Sequence, residues 1–193
     1  MFVAGVMAIS DFSMAPEMVA DLARRCDHVV LRFDALNGDK SLFRECCEHA
    51  STFCPVHKIR SKDAWNRWNW RQQLIRALDP IKPDYVLFLD SDEKYGPGFD
   101  DDFLLFVNGG FDTMMFNYEM VTDDGRAVMK YPGAPHCKAY RWVPKISYSP
   151  YRGYARPTWP GQAKEYLAKT CKIWHYCFHT PEMERVKLNN LHK

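Results

Sequence analysis

Tyr85-Val86-Leu87-Phe88-Leu89-Asp90-Ser91-Asp92-Glu93 decides how the rest of the chain is read. Five apolar residues running directly into acids describe a strand covered on both faces, as parallel strands are. Working outward, short apolar runs near 2–9, 28–33, 52–58 and 112–118 alternate with amphipathic segments near 15–25, 41–49, 63–79 and 100–107. This alternation predicts an α/β fold with a mostly parallel central sheet flanked by helices. Pro16 and Glu17 suit the first turn of a helix that carries Met18, Leu22 and Cys26 at four-residue spacing. Asp100-Asp101-Asp102 suit the positive end of another, which stops at Gly109-Gly110.

The 193 residues allow one domain of ordinary size, and a 47% hydrophobic content excludes a disordered tail as a description of the whole. No apolar run is long enough to span a bilayer. The apolar start at 1–9 lacks a basic flank and is expected to be a buried first strand, not a signal peptide. Seven Cys without CxxC spacing argue against a disulfide framework, so a reducing cytoplasm is the expected location and adjacent Cys46 and Cys47 are expected to pack the core.

In parallel α/β sheets ligands bind beyond the carboxyl ends of the strands, which is where Asp90, Ser91 and Asp92 fall. Two carboxylates two residues apart can both reach one hard cation that keeps open positions for diphosphate oxygens. On the segment 63–79, Ala64, Trp68, Arg71, Ile75 and Leu78 share a helical face, so Arg71 needs either an anion or a path to solvent. Near the end of the chain, Cys171, His175, Cys177 and His179 share one face of an expected strand. Alternate strand residues lie roughly 6.5–7 Å apart, so four in line cannot close a tetrahedron around zinc. One histidine aimed at an ion already held by Asp92 is easier to build.

The order of an N-terminal strand, Asp34 after the second strand, a helix bearing Arg71, the Leu-Phe-Leu-Asp-Ser-Asp-Glu stretch and a late His-Tyr-x-Phe-x-x-Pro-Glu-Met segment resembles small family 2-like glycosyltransferases of the GT-A fold. The resemblance covers most of 1–118 and 171–187. It implies a single domain in which 1–118 bind a nucleoside diphosphate sugar, such as a UDP-sugar, 119–170 form the acceptor side, and 171–193 add a closing strand and helix. It further implies that Ser10, Asp11 and Asp34 line the nucleotide pocket, with Arg60 or Lys62, and Arg71, near the diphosphate or donor sugar. Asp90 would approach the ribose or a metal-bound water, and Ser91 would line the donor site. Asp92 and His175 would be the direct ligands of Mn²⁺ or Mg²⁺, with Asp90 beside them, and Lys187 would face phosphate. An inverting relative also carries a carboxylate as general base. Glu119, Asp123, Asp124 and Glu165 are the candidates, none in a recognisable motif.

Charge is unevenly distributed. Residues 1–125 hold 13 Lys/Arg against 21 Asp/Glu, whereas 126–164 hold eight basic residues and no acid. Those eight, interleaved with Tyr131, Tyr140, Trp142, Tyr148, Tyr151, Tyr154 and Trp159, suit a phosphate-bearing acceptor: DNA with a hydroxymethylated base, or a lipid-linked or phosphorylated glycan. The same aromatics would equally pack an irregular core. Two other classes compete, a metal-dependent nuclease or nucleotidyltransferase and a non-catalytic nucleic-acid-binding module.

Overall fold

The computed structural model describes residues 1–9, 12–35, 38–62, 67–122, 127–130, 133–144, 146–149, 156–159 and 161–178. The elements begin with β1 (Val3–Ile9), α1 (Ala15–Ala23), β2 (His28–Asp34), α2 (Lys40–Ser51), β3 (Val56–Ser61), α3 (Arg67–Arg76) and β4 (Tyr85–Asp90). They continue through β5 (Glu93–Tyr95), α4 (Phe99–Asn108), β6 (Thr113–Phe116), β7 (Tyr118–Thr122), β8 (Ala127–Lys130), β9 (His136–Arg141), β10 (Ser147–Ser149), β11 (Arg156–Thr158), β12 (Glu165–Leu167) and β13 (Ile173–Phe178).

A seven-stranded sheet runs β12-β6-β9-β4-β1-β2-β3. All its pairings are parallel except those of β9, which lies antiparallel to both β4 and β6. The expected α/β architecture is therefore present, with one strand of opposite sense inside it. Alternation along the buried strands feeds two cores. Met7, Leu31, Leu87 and Leu89 face α1, α2 and α4, while Val6, Val30, Val86 and Phe88 face Trp70, Leu74, Ile75 and Leu78 around α3. Gly5 marks where α1 crosses closest to β1, since a Cβ there would lie 2.9 Å from both Leu22 Cγ and Cys26 Sγ. Cys46 and Cys47 pack this core as expected, and burial pushes the Cys46 thiol up to about 12.

Two expectations shift. The strand expected at 52–58 starts at Val56, because Cys54 N–H still donates to the helical carbonyl of Ala50 and Thr52 Oγ1 donates to that of His49. Residues 136–141, expected among hairpins and ordered loops of the acceptor side, form a central strand, since Ala139 and Tyr140 are fully buried between β4 and β6. The closing helix expected after the last strand falls on 179–193, outside the described residues.

A second sheet, β5-β13-β7-β8, stands beside the first. The segment leading into β13, one of its two inner strands, is fixed by Asp102, a buried carboxylate in the first turn of α4. Asp102 accepts from the backbone N–H of Lys169, Thr170 and Cys171 at 3.0, 2.8 and 2.7 Å, and from Thr170 Oγ1 and Tyr166 Oη at 2.7 Å each. Burial alone would raise its pKa, yet the donors from Cys171, Lys169, Tyr166 and Thr170 hold it far below the usual carboxylate range. Gly98 caps the same helix at φ +80°, where a side chain would be strained and its Cβ would lie 2.7 Å from Thr170 Oγ1.

Because Asp102 titrates lower in the folded chain than in the unfolded one, its contribution is complete above the ordinary aspartate pKa and is lost as pH falls toward the folded value. Urea denaturation of Asp102→Asn is therefore expected to show a loss of about 3 kcal/mol at neutral pH, with a gap to the parent that narrows below roughly pH 4. A constant gap across this range would contradict the assignment.

Candidate functional site

The carboxyl end of β4 carries Asp90, and a turn through Ser91 and Asp92 sends the chain back as β5. β5 pairs antiparallel with β13, placing Glu93 opposite His175, and Tyr176 N–H donates to the Asp92 carbonyl at 2.8 Å. As a result His175 Nε2 lies 3.2 Å from Asp92 Oδ2, although 83 residues separate them in the chain. Both side chains are about one-third exposed, at 28% and 34%. Burial works to lower the His175 pKa, but the hydrogen bond and charge of Asp92, helped by Glu93, outweigh it and raise the value.

Behind this pair lies a buried ionic cluster. Lys138 Nζ sits 2.5 Å from Glu93 Oε2 and 3.1 Å from Asp90 Oδ2, with its side chain only 4% exposed. Arg71 Nη2 reaches the same Asp90 oxygen at 3.5 Å, and its guanidinium lies over the rings of Trp70 and Phe88. Glu93 also accepts from Tyr118 Oη at 2.7 Å and from the backbone N–H of Asp90 at 2.9 Å. Burial pushes Asp90 up, but Lys138 and Arg71 overcome it and bring the carboxyl down to about 2. For the more deeply enclosed Glu93 burial prevails, aided by the charge of Asp90, and the pKa is raised in spite of Lys138.

Lys138 sits at a β-bulge. Met114 pairs with Ala139 and Met115 with Cys137, leaving Lys138 as the inserted residue of β9. Its carbonyl, displaced from the ladder, accepts from Tyr95 Oη at 2.6 Å. From sequence Lys138 belongs with the acceptor-side cations, and nothing marks Glu93 as its partner. The available signal was faint: one lysine inside the otherwise weakly polar run Cys137-Lys138-Ala139-Tyr140.

The other residues singled out by sequence are more dispersed. Arg71, Asp90 and Ser91 gather at the end of β4, where Ser91 is buried in the turn. The backbone of Asp34 ends β2, and Arg60 and Lys62 sit exposed at and beyond the end of β3. These share the carboxyl edge of the sheet, but β3 is three strands from β4, roughly 14 Å at ordinary strand spacing. Ser10, Asp11 and Lys187, with Asp123, Asp124 and His179, lie outside the described residues. Glu119 is held by Lys172 at 2.9 Å and pairs with Trp174, so it points to the face of the second sheet opposite His175. Glu165 begins β12 opposite Thr113, at the far end of the sheet from Asp90. Of the eight basic residues at 126–164, Arg141 pairs with Asp112, and Lys164 donates to the Gly109 carbonyl over the Phe111 ring. Tyr140 is fully buried against Trp159, the core-packing role.

Among the described residues no three His, Cys, Asp or Glu side chains converge closely enough to hold a metal by themselves. Asp92 and His175 supply two donors on one solvent-facing side, with Asp90 turned toward cations. A carboxylate beside an imidazole fits a divalent ion that takes its remaining ligands from water or from a bound phosphate.

No known family's sequence profile matches the chain, and no curated protein matches it in sequence. Solved structures do match in shape. The chain is similar to S. aureus TarS 1-349 with a TM-score of 0.50 and 15% identity, over 73% of this chain and 47% of that one. It thus spans about half the length of that fragment. It is also similar to HddC from Yersinia pseudotuberculosis with a TM-score of 0.51 and 6% identity, over 99% of this chain and 100% of that one. At these identities the likeness establishes the fold alone, an α/β architecture that the chain shares with both.

Removing one partner of the buried cluster leaves a charge uncompensated, whereas removing both does not. Lys138→Met is expected to cost about 3 kcal/mol or more in urea denaturation, and adding Glu93→Gln is expected to recover a substantial part of that loss. Strict additivity of the two substitutions would show that the pair is not coupled.

Proposed function

We propose that this chain is a metal-dependent glycosyltransferase that moves a sugar from a nucleoside diphosphate sugar, in the first instance a UDP-sugar, to an acceptor hydroxyl. The observation that carries this reading is the approach of His175 to Asp92 at the carboxyl end of β4, on a fold shared with TarS, a glycosyltransferase. Asp92 and His175 would hold Mn²⁺ or Mg²⁺. A divalent cation there stabilises the negative charge that builds on a leaving diphosphate. Asp90 and Arg71 keep the turn that presents Asp92 in one geometry, while the edge formed by Asp34, Arg60 and Lys62 is the side on which a nucleotide would lie.

The acceptor we favour bears phosphate, and DNA with a hydroxymethylated base is the form to test first. Of the eight cations at 126–164 that suggest it, Lys138, Arg141 and Lys164 serve the fold. A second reading, nucleotidyl transfer, draws on the end-to-end match with HddC, a nucleotidyltransferase-type enzyme. It would use a nucleoside triphosphate and a sugar phosphate at the same edge.

Thermal unfolding with a panel of UDP-sugars and nucleoside triphosphates, with and without Mn²⁺, separates these readings. The expected result is a rise in Tm of about 5 °C with one UDP-sugar at saturation, present only with the cation and absent in Asp92→Ala and His175→Ala. Stabilisation by a triphosphate alone would favour the second reading. Equal shifts with and without metal, or in both variants, would remove the proposed site.

A further inference from the structure

The cluster behind Asp92 has a property that the reaction itself does not demand. Of the three acids crowded at 90–93, two are already neutralised from within. Lys138 is shared by Asp90 and Glu93, and Arg71 adds a second cation to Asp90. Two carboxylates thus face two cations, and Asp92 is left to the solvent side with His175. The same groups sense one another across the turn, since the charges of Asp92 and His175 both act on Glu93, and that of His175 acts on Asp90.

We infer that Lys138 is a positioning residue that limits the affinity of this turn for a bare divalent cation, so that the ion is retained only together with an anionic ligand. The inference rests on the metal reading of Asp92 and His175 proposed above. Three carboxylates within four residues would otherwise form a strongly negative cup, able to capture Mn²⁺ or Ca²⁺ with no ligand bound. An ammonium buried at 3.1 and 2.5 Å from two of them cancels much of that field and repels a second cation. It also denies Asp90 Oδ2 the freedom to turn outward. With only two protein donors left, a diphosphate must supply oxygens and charge before the ion is held firmly, and ion and donor then strengthen each other's binding by the same factor.

Lys138 shares the Tyr140 side of β9, where Phe88 and Arg71 also lie, and its ammonium sits over the Phe88 ring beside the acids of the neighbouring turn. Tyr95 Oη holds the bulge carbonyl, and Tyr118 Oη occupies the other oxygen of Glu93, so Lys138 is constrained from both its backbone and its partner.

The test is Mn²⁺ binding followed by the loss of free-ion signal in electron paramagnetic resonance, without nucleotide and then with UDP. The parent is expected to bind Mn²⁺ weakly alone and much more tightly with UDP. Lys138→Met is expected to bind Mn²⁺ alone about tenfold more tightly than the parent, with a correspondingly smaller gain from UDP. Lys138→Arg, which keeps the charge, is expected to behave as the parent. If Lys138→Met does not fold, Lys138→Met combined with Glu93→Gln removes both enclosed charges and still frees Asp90, so the gain in Mn²⁺ affinity is expected there too. A purely structural lysine would give variants of lower stability with unchanged or weaker metal binding, and that result overturns the inference alone. A parent that shows no UDP-dependent Mn²⁺ binding overturns the metal reading and this inference with it.

Discussion

A lysine ammonium taken out of water must find its charge partners before the chain can close over it. Lys138 finds two, Glu93 and Asp90, on a segment more than forty residues earlier, and the contact ties β9 to β4 and β5 at the carboxyl end of β4. Arg71 from α3 and Tyr118 from β7 complete the ring of partners. Five elements thus meet on two carboxylates. The turn between those carboxylates has little freedom left, and Asp92 projects from it because its neighbours are fixed.

The charge asymmetry along the chain takes on a different meaning in this light. An acidic stretch of 125 residues followed by a basic one of 39 invites an external anion as explanation. Part of the complementarity is internal. Lys138 answers Glu93 and Asp90, and Arg141 answers Asp112 across the β9 side of the sheet. Opposite charges far apart in sequence can record strand order as well as partner choice, and a count of charges cannot separate the two.

The local features of the fold were legible because they depend on neighbours in sequence. The run 85–89 could only be a buried strand, and the four-residue spacing from Met18 placed α1. Arg71 was legible as a cation in need of an anion, and the structure supplies Asp90. The antiparallel insertion of β9 between β4 and β6 was not legible, since nothing within 136–141 states which strands will flank it. Lysines are seldom buried, and Lys138 is buried only because Glu93 and Asp90, distant in sequence, meet it. Asp102 was hidden by its neighbours: three consecutive aspartates look alike as helix-end charges, yet only the third is enclosed and accepts five hydrogen bonds.

The approach of His175 to Asp92 is set by the backbone on both sides of it. Upstream, Asp102 fixes 169–171 just before β13 begins. Downstream, Tyr176 N–H is bonded to the Asp92 carbonyl, and β13 is paired along both edges, with β5 and β7. The side-chain contact itself, about one-third open to solvent, contributes little to holding these strands, because exposed ion pairs are worth only about 0–1 kcal/mol. The fold would therefore persist with other residues at both positions. A carboxylate and an imidazole held 3.2 Å apart by a scaffold that does not need their attraction are free to be judged by what they can bind.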